Sequence, residues 1–323
     1  MKYLRLSSTN PYLNLAIEEY LFRNSDDDVF MLWQNEPTVV IGKNQNAFAE
    51  LDLGFARREG IKVARRITGG GAVYHDLGNV NYTFISAGGG RTLDFAGLSQ
   101  PILEALAERG LAARLSGRND IELDGLKFSG NAQHAEGGRV LHHGTLLFNT
   151  DLSVLSRVLR PDSDKLQAKG IKSVRARVEN LSPRLPDIRS ADEFAAMIED
   201  HIMRVHSPER IECPACDEIA ALEGRNASDG WLFPERDFLS GYSTVKKRRY
   251  PFGSVAVSLD MVGERIKRAN ISGDFFGVRP LGELEELLSG ALVNELEELL
   301  SLLPVGEYIH GMTEEELLAL IRE

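Results

Sequence analysis

The chain has 323 residues, 43% hydrophobic and 26% charged, with a formal net charge of −11. That is globular composition, with room for one large domain and a smaller one, and its acidity argues against a surface built to grip nucleic acid, which needs a local excess of Lys and Arg. The start, Met1 to Arg5, lacks the apolar run of a signal peptide, and no apolar stretch nears the ~20 residues that span a bilayer. Two cysteines are too few for a disulfide framework, so the expectation is a cytoplasmic protein, monomeric by default, with no membrane contact.

Asn10-Pro11 reads as an N-cap and first helical residue, and Leu13, Ile17 and Leu21 recur at helical spacing, giving a helix over 11–23. Two short apolar runs, 29–33 and 38–42, flank Asn35-Glu36-Pro37 and read as a hairpin. A helix over 49–59 precedes a strand at 62–64, the triple glycine 69–71, and strands at 72–74 and 80–85. A helix over 97–109 leads to a hairpin turned by Asp124-Gly125, a strand over 140–149 and helices over 151–159 and 191–205. Residues 207–240 lose periodicity and read as an irregular end to the first domain. Alternation resumes at 254–259 and 265–271, followed by acidic helices near 281–289 and 291–301 and a last helix opened by a capping-box pattern at Thr313. Hairpin-clustered strands with helices between them imply an α+β architecture, a mixed or antiparallel sheet with helices on its faces. The expected division is 1–240, a linker at 241–249, and a small α+β domain at 250–323.

The chemistry concentrates in the first domain. Three consecutive glycines have no β-carbons, so backbone N–H groups at Gly69, Gly70 and Gly71 can approach a phosphate or carboxylate; Arg66 precedes them and Tyr74, His75 and Asn79 follow. Gly88-Gly89-Gly90 has no such surroundings and reads as a turn. Lys127 sits in a strand beside Ser129-Gly130-Asn131, with Leu126 and Phe128 assigned by alternation to the other face. A lysine aimed at an α-phosphate stabilises the charge that builds in nucleotidyl transfer. Asp120 could hold Mg2+, while Asn119 could simply cap a turn. His142 and His143 are adjacent in a strand, so only one can face a cleft. Cys213 and Cys216 form an isolated C-x-x-C; His201 and His206 do not complete a standard zinc spacing, and the pair reads as stray thiols.

In this order, residues 65–79, 117–120, 127–132, 142–147 and 165–181 resemble the lipoate–protein ligase A family, and residues 272–277 and 284–290 resemble its accessory domain. The resemblance implies a catalytic domain like that of biotin protein ligases followed by the small domain. It implies two steps: lipoate and Mg-ATP give lipoyl-adenylate, then a lysine of an apo lipoyl domain takes the acyl group. Acceptors would be the 2-oxoacid dehydrogenase subunits and the glycine-cleavage H protein. Carried over by residue, Lys127 is the catalytic group. Trp33, Arg66, Gly71, Tyr74 and His143 line the lipoate site. Gly71, Asn79, Asn119, Asp120, Lys127, Ala132 and Thr145 line the nucleotide side, with Asp120 the Mg2+ contact. Plain core packing is the competing reading of Tyr74. Residues 165–181 are expected as a loop over the adenylate, and the second domain is expected to rotate about a hinge within 240–249.

Three rivals share these features. An octanoyltransferase of the same fold needs a cysteine nucleophile, and both cysteines lie outside every motif. A biotin ligase would carry Gly-Arg-Gly-Arg where residues 65–71 stand. A lipoate-binding protein without turnover would not need the lysine and the acid together.

Overall fold

The computed structural model of the chain describes residues 1–88, 93–160 and 178–323. In chain order the first unit runs β1 (Lys2–Arg5), α1 (Pro11–Asn24), β2 (Val29–Trp33), β3 (Thr38–Ile41), α2 (Ala47–Glu50), α3 (Leu53–Arg58), β4 (Lys62–Arg65), β5 (Val73–His75), β6 (Asn79–Ser86) and α4 (Phe95–Ala107). It continues with β7 (Arg114–Ser116), β8 (Asp120–Leu123), β9 (Leu126–Glu136), β10 (Arg139–Leu147), α5 (Leu152–Val158), α6 (Ala191–His206), β11 (Glu209–Arg210), α7 (Asp217–Asn226) and α8 (Asp229–Leu232). The second unit holds β12 (Thr244–Tyr250), β13 (Gly253–Val262), β14 (Arg265–Gly273), α9 (Leu281–Leu288), α10 (Leu296–Ser301), α11 (Val305–Tyr308) and α12 (Glu314–Arg322).

An eight-stranded mixed sheet, ordered β11-β1-β2-β6-β10-β9-β8-β7, forms the spine of the first unit. Its two faces follow from strand periodicity. Phe30 and Leu32 of β2 turn toward a core shared with Ile102 and Leu106 of α4 and Phe194 and Ile198 of α6. Val29, Met31 and Trp33 turn the other way, toward Leu15, Ile17 and Phe22 of α1 and Val40 and Ala64 of the small sheet β4-β3-β5. The first unit therefore buries α1 and a second, three-stranded sheet against one face of the first. In the second unit, β12-β13-β14 packs its own core against α9, α10 and α12.

Local chemistry explains several of the elements. Asn10 caps α1 through Tyr12 N, with Pro11 opening the helix. Asp124 and Gly125 both have positive φ, 52° and 81°, the turn that pairs β8 with β9. Thr313 and Glu316 form the reciprocal capping box of α12.

Four expectations need correction. Runs 29–33 and 38–42 do not form a hairpin: β2 lies between β1 and β6, and β3 belongs to the small sheet. Neither turn residue pair offers positive φ; instead the Asn14 side chain donates to Gln34 O and Asn35 Oδ1 and holds the link as a crossing between sheets. The helix expected over 49–59 is two helices, because Leu51 is extended and Asp52 caps a new start through Phe55 N. Residues 207–240 are not irregular throughout: α7 packs on α1, where Asn226 Nδ2 donates to Tyr12 O and Arg225 pairs with Glu19. The segment expected as a linker carries most of β12, hydrogen-bonded along its length to β13. Of the loop expected over 165–181, only 178–181 falls within the described residues; there Glu179 N donates to Lys127 O. The triple glycine 88–90 also lies mostly outside them.

Candidate active site

Interior strands normally present apolar side chains to a covered face, and here β6 and β10 do not. Asn79, Asn81 and Thr83 of β6, and His143 and Thr145 of β10, are buried on the face toward α1 and the small sheet. Register places them side by side, Thr83 opposite His143 and Asn81 opposite Thr145. The Asn81 row extends on one side to Trp33 of β2. On the other side Gly130 N donates to Thr145 Oγ1, and Gly130 faces Asp120 of β8. One cross-strand row thus runs from Asp120 through Gly130, Thr145 and Asn81 to Trp33. A buried polar row of this kind costs stability in a core, which marks it as a functional surface.

Lys127 stands at the β8 end of that row. A register shift in the β8–β9 pairing leaves Glu122 opposite Lys127, and the lysine side chain folds back across Gly130. A β-carbon at Gly130 would lie 3.1 Å from Lys127 Nζ. The ammonium rests 2.7 Å from Asp120 Oδ1, both groups part-exposed. The preceding turn is fixed by Gly117, at φ 57°, and by Asn119, whose carbonyl accepts from Asn131 N and Nδ2 while its own Nδ2 donates to Asn131 O. Phe128 is fully buried, which separates it from Lys127 as alternation implies.

The glycine loop approaches other backbone from two sides. A β-carbon at Gly42 would collide with Gly70 O, and one at Gly69 with Phe275 O. Gly70, at φ 89°, donates its N–H to Phe275 O of the second unit. Arg66 holds the loop from inside: NH2 donates to Gly69 O and Gly71 O, NH1 to Val40 O, and Nε to Thr68 Oγ1. Burial lowers its pKa to about 10, partly offset by the Glu18 charge.

Behind the row runs a chain of buried hydrogen bonds. Trp33 Nε1 lies 2.9 Å from Thr83 Oγ1, Thr83 Oγ1 2.6 Å from Glu18 Oε1, and Glu18 Oε1 2.9 Å from His143 Nδ1. His143 Nε2 lies 2.9 Å from Thr68 Oγ1. His142 faces the opposite side of β10, among Tyr82, Gln133 and Phe95, so the adjacent histidines do serve different faces. Complete burial drives His142 down to about 3. His75 likewise falls to about 3, through burial and the charge of Arg66; Asn35 Nδ2 lies 3.0 Å from its Nδ1, and its Nε2 has no partner among the described residues.

The second unit closes over the loop. The Phe276 ring lies against Gly70, 5.3 Å from the Phe95 ring and 4.5 Å from the Arg118 guanidinium, while Arg118 NH2 donates to Asp274 O. Gly273 N donates to Asn44 O.

The structure therefore gathers Trp33, Arg66 and His143 through one hydrogen-bonded chain, and Asn119, Asp120, Lys127 and Thr145 around Gly130. Ala132 pairs with His143 across β9–β10. Asn79 opens β6 and donates to Asn81 Oδ1. Gly71 lies at the loop's exit, its carbonyl held by Arg66. Tyr74 packs among Val39, Ile41, Phe55 and Val154, on the side of β5 away from His75, and its hydroxyl is pushed up to about 12 by burial. Sequence reading missed Glu18, Thr68 and Thr83. A glutamate in the apolar repeat of α1, next to Ile17, was the available signal. Cys213 and Cys216 are exposed, and no cluster of three metal-ligating side chains occurs among the described residues.

The family model described as the lipoyl protein ligase A/B catalytic domain matches residues 10–203, which carry this sheet, glycine loop and lysine, and the bacterial lipoate protein ligase C-terminus model matches residues 240–321. The chain belongs to this family, with an α+β fold. It is an enzyme, a lipoate–protein ligase. It is similar to lipoate-protein ligase LplJ of Bacillus subtilis (36% identity, 97% of each chain) and to lipoate–protein ligase 1 of Staphylococcus aureus (35%, 97% of each). Among solved structures, P. falciparum LipL1 covers 100% of both chains with TM-score 0.83 at 24% identity, a likeness of fold. A lipoate-protein ligase A bound with ATP (TM-score 0.61, 26%) covers 72% of this chain and 98% of its own. A bipartite ligase of Thermoplasma acidophilum, described with its E2 lipoyl domain (TM-score 0.60, 28%), covers 72% and 96%.

Proposed function

We propose that the cross-strand row is a substrate channel with lipoate at one end and ATP at the other. The acyl chain lies by Trp33 and His143 against the loop shaped by Arg66, Gly71 and, from behind β5, Tyr74. The carboxylate reaches Lys127. Asn79, Asn119, Asp120, Ala132 and Thr145 form the nucleotide side. A carboxylate oxygen attacks the α-phosphorus, the bond to the β-phosphate bridge breaks, and pyrophosphate leaves. The lysine Nζ of an acceptor then attacks the acyl carbon, the bond to AMP breaks, and the proton leaves the nitrogen. In both steps negative charge grows on oxygens within reach of the Lys127 ammonium, which Asp120 preorganises. The observation that carries this reading is the Lys127–Asp120 pair at the end of a buried row that begins at Trp33.

The donor set fits Mg2+ of the kind that travels with a nucleotide, held by one carboxylate, Asp120, and by phosphate oxygens rather than by a protein cage. Acceptors in this reading are apo lipoyl domains of 2-oxoacid dehydrogenase complexes and the glycine-cleavage H protein. No helix among the described residues is long and apolar enough to cross a membrane, and the reading places a monomer in the cytoplasm. The reading keeps a boundary near residue 240, with β12 (Thr244–Tyr250) counted in the second unit and that unit able to leave the loop.

Lipoate-dependent exchange of label between pyrophosphate and ATP tests the first step without any acceptor. Exchange that requires lipoate supports adenylation. Absence of exchange, with acyl transfer from an octanoyl carrier protein instead, would favour the octanoyltransferase reading.

A further inference from the structure

Glu18 is 1% exposed, in the middle of α1, and among the described residues its hydrogen-bond partners are Thr83 and His143. The carboxylate only accepts, which sets the direction of the bonds that converge on it. An indole N–H only donates, so Thr83 Oγ1 accepts from Trp33 and sends its own proton to Glu18. The carboxylate likewise accepts from His143 Nδ1, which leaves Nε2 of a neutral ring to accept from Thr68 Oγ1, itself accepting from Arg66 Nε. His143 Nε2 is then the accepting nitrogen, and Nδ1 carries the proton that goes to Glu18. Both arms end on the same carboxylate. Thr83 and His143 Nδ1 meet at Oε1, and Nδ1 also reaches Oε2 at 3.1 Å. It also supplies a counter-charge for the Arg66 guanidinium, itself 5% exposed.

We infer that Glu18 is a positioning residue for the lipoate site, setting the His143 tautomer and, through Thr68 and Arg66, the shape of the Gly69–Gly71 loop. It touches no substrate. The inference rests on the placement of the acyl chain beside Trp33 and His143 proposed above.

Glu18→Gln keeps the volume but turns one oxygen into an NH2 group that faces a donor. In either oxygen's place that group meets His143 Nδ1, 2.9 Å from Oε1 and 3.1 Å from Oε2, and the ring relieves the donor–donor contact by moving its proton to Nε2. Imidazole nitrogen NMR reads that tautomer directly, and steady-state kinetics read its consequence. The expected result is an Nε2–H tautomer in Glu18→Gln, with KM for lipoate raised about tenfold or more and KM for ATP within about twofold of wild type. An unchanged Nδ1–H tautomer, or an unchanged KM for lipoate, overturns the inference. His143→Ala run in parallel separates the two claims. If it raises the lipoate KM and Glu18→Gln does not, only the role of Glu18 falls; if neither does, the acyl-site placement falls as well. Should Glu18→Gln fail to fold, Thr68→Val breaks the same chain without a buried charge. It must raise the lipoate KM selectively, and an unmoved KM there also overturns the inference.

Discussion

Lys127 Nζ lies 2.7 Å from Asp120 Oδ1, and its side chain crosses Gly130 where any β-carbon would stand 3.1 Å from the ammonium and 3.3 Å from Cε. The absence of that β-carbon lets the lysine lie flat along the row. Gly130→Ala is therefore expected to swing Lys127 away from Asp120 with little effect on the fold, since the displaced atoms are the flexible end of a side chain. Lipoate-dependent pyrophosphate–ATP exchange should fall about tenfold to a hundredfold, while the melting temperature moves by no more than a few degrees. Full exchange activity would mean that this lysine position does not matter.

Gly42 is a stability position. Its β-carbon would strike the backbone oxygen of Gly70, which cannot rotate away as a side chain can. Gly42→Ala should cost about 1–3 kcal/mol and raise KM for lipoate by moving the glycine loop. Urea unfolding monitored by circular dichroism, together with steady-state kinetics, checks both parts.

Stability should fall as pH drops from 6.5 toward 3. His75 and His142 are buried and neutral, with pKa values lowered from 6.5 to about 3. Above pH 6.5 neither state binds their protons. Between the two values the unfolded chain binds protons that the folded one refuses, so each histidine removes up to about 1.4 kcal/mol per pH unit. Denaturant midpoints at pH 5 and pH 7.5 measure the slope, and His142→Gln should flatten it. A flat profile would contradict the burial.

Phe276 is buried between the units rather than in the core of the second one. Phe276→Ala should leave the second unit folded but loosen its hold on Gly70 and Arg118. Limited proteolysis within 240–243, just ahead of β12, is expected to accelerate several-fold. If the segment opens as a hinge, cross-linking it should slow acyl transfer more than adenylation, and equal slowing of both would count against a hinge.

Much of this was legible in the sequence because short-range chemistry dictated it. Asn10-Pro11, Asp124-Gly125 and the Thr313 capping box each fix their element through bonds a few residues long. Of the motif residues, Trp33, Asn79, Asp120, Lys127, Ala132, His143 and Thr145 fell on neighbouring strands of one sheet. What escaped was set at long range. The hairpin expected between 29–33 and 38–42 failed because Asn14, on another element, holds the connection. Helix α7 owes its place to α1, through Arg225 and Asn226. Glu18 looked like an ordinary helix residue, because only the fold brings Thr83 and His143 to its carboxylate. Tyr74 and His75 are neighbours in sequence, yet one enters a core and the other faces Asn35 and Trp33.

The central claim is that Lys127 drives an ATP-dependent attachment of lipoate to protein. The most direct measurement is the intact mass of a purified apo lipoyl domain incubated with this protein, lipoate and Mg-ATP, alongside Lys127→Ala. The account predicts a lipoyl mass gain that requires ATP and falls about a hundredfold to a thousandfold in rate in the variant. A gain that persists without ATP, or a variant as fast as wild type, would contradict it.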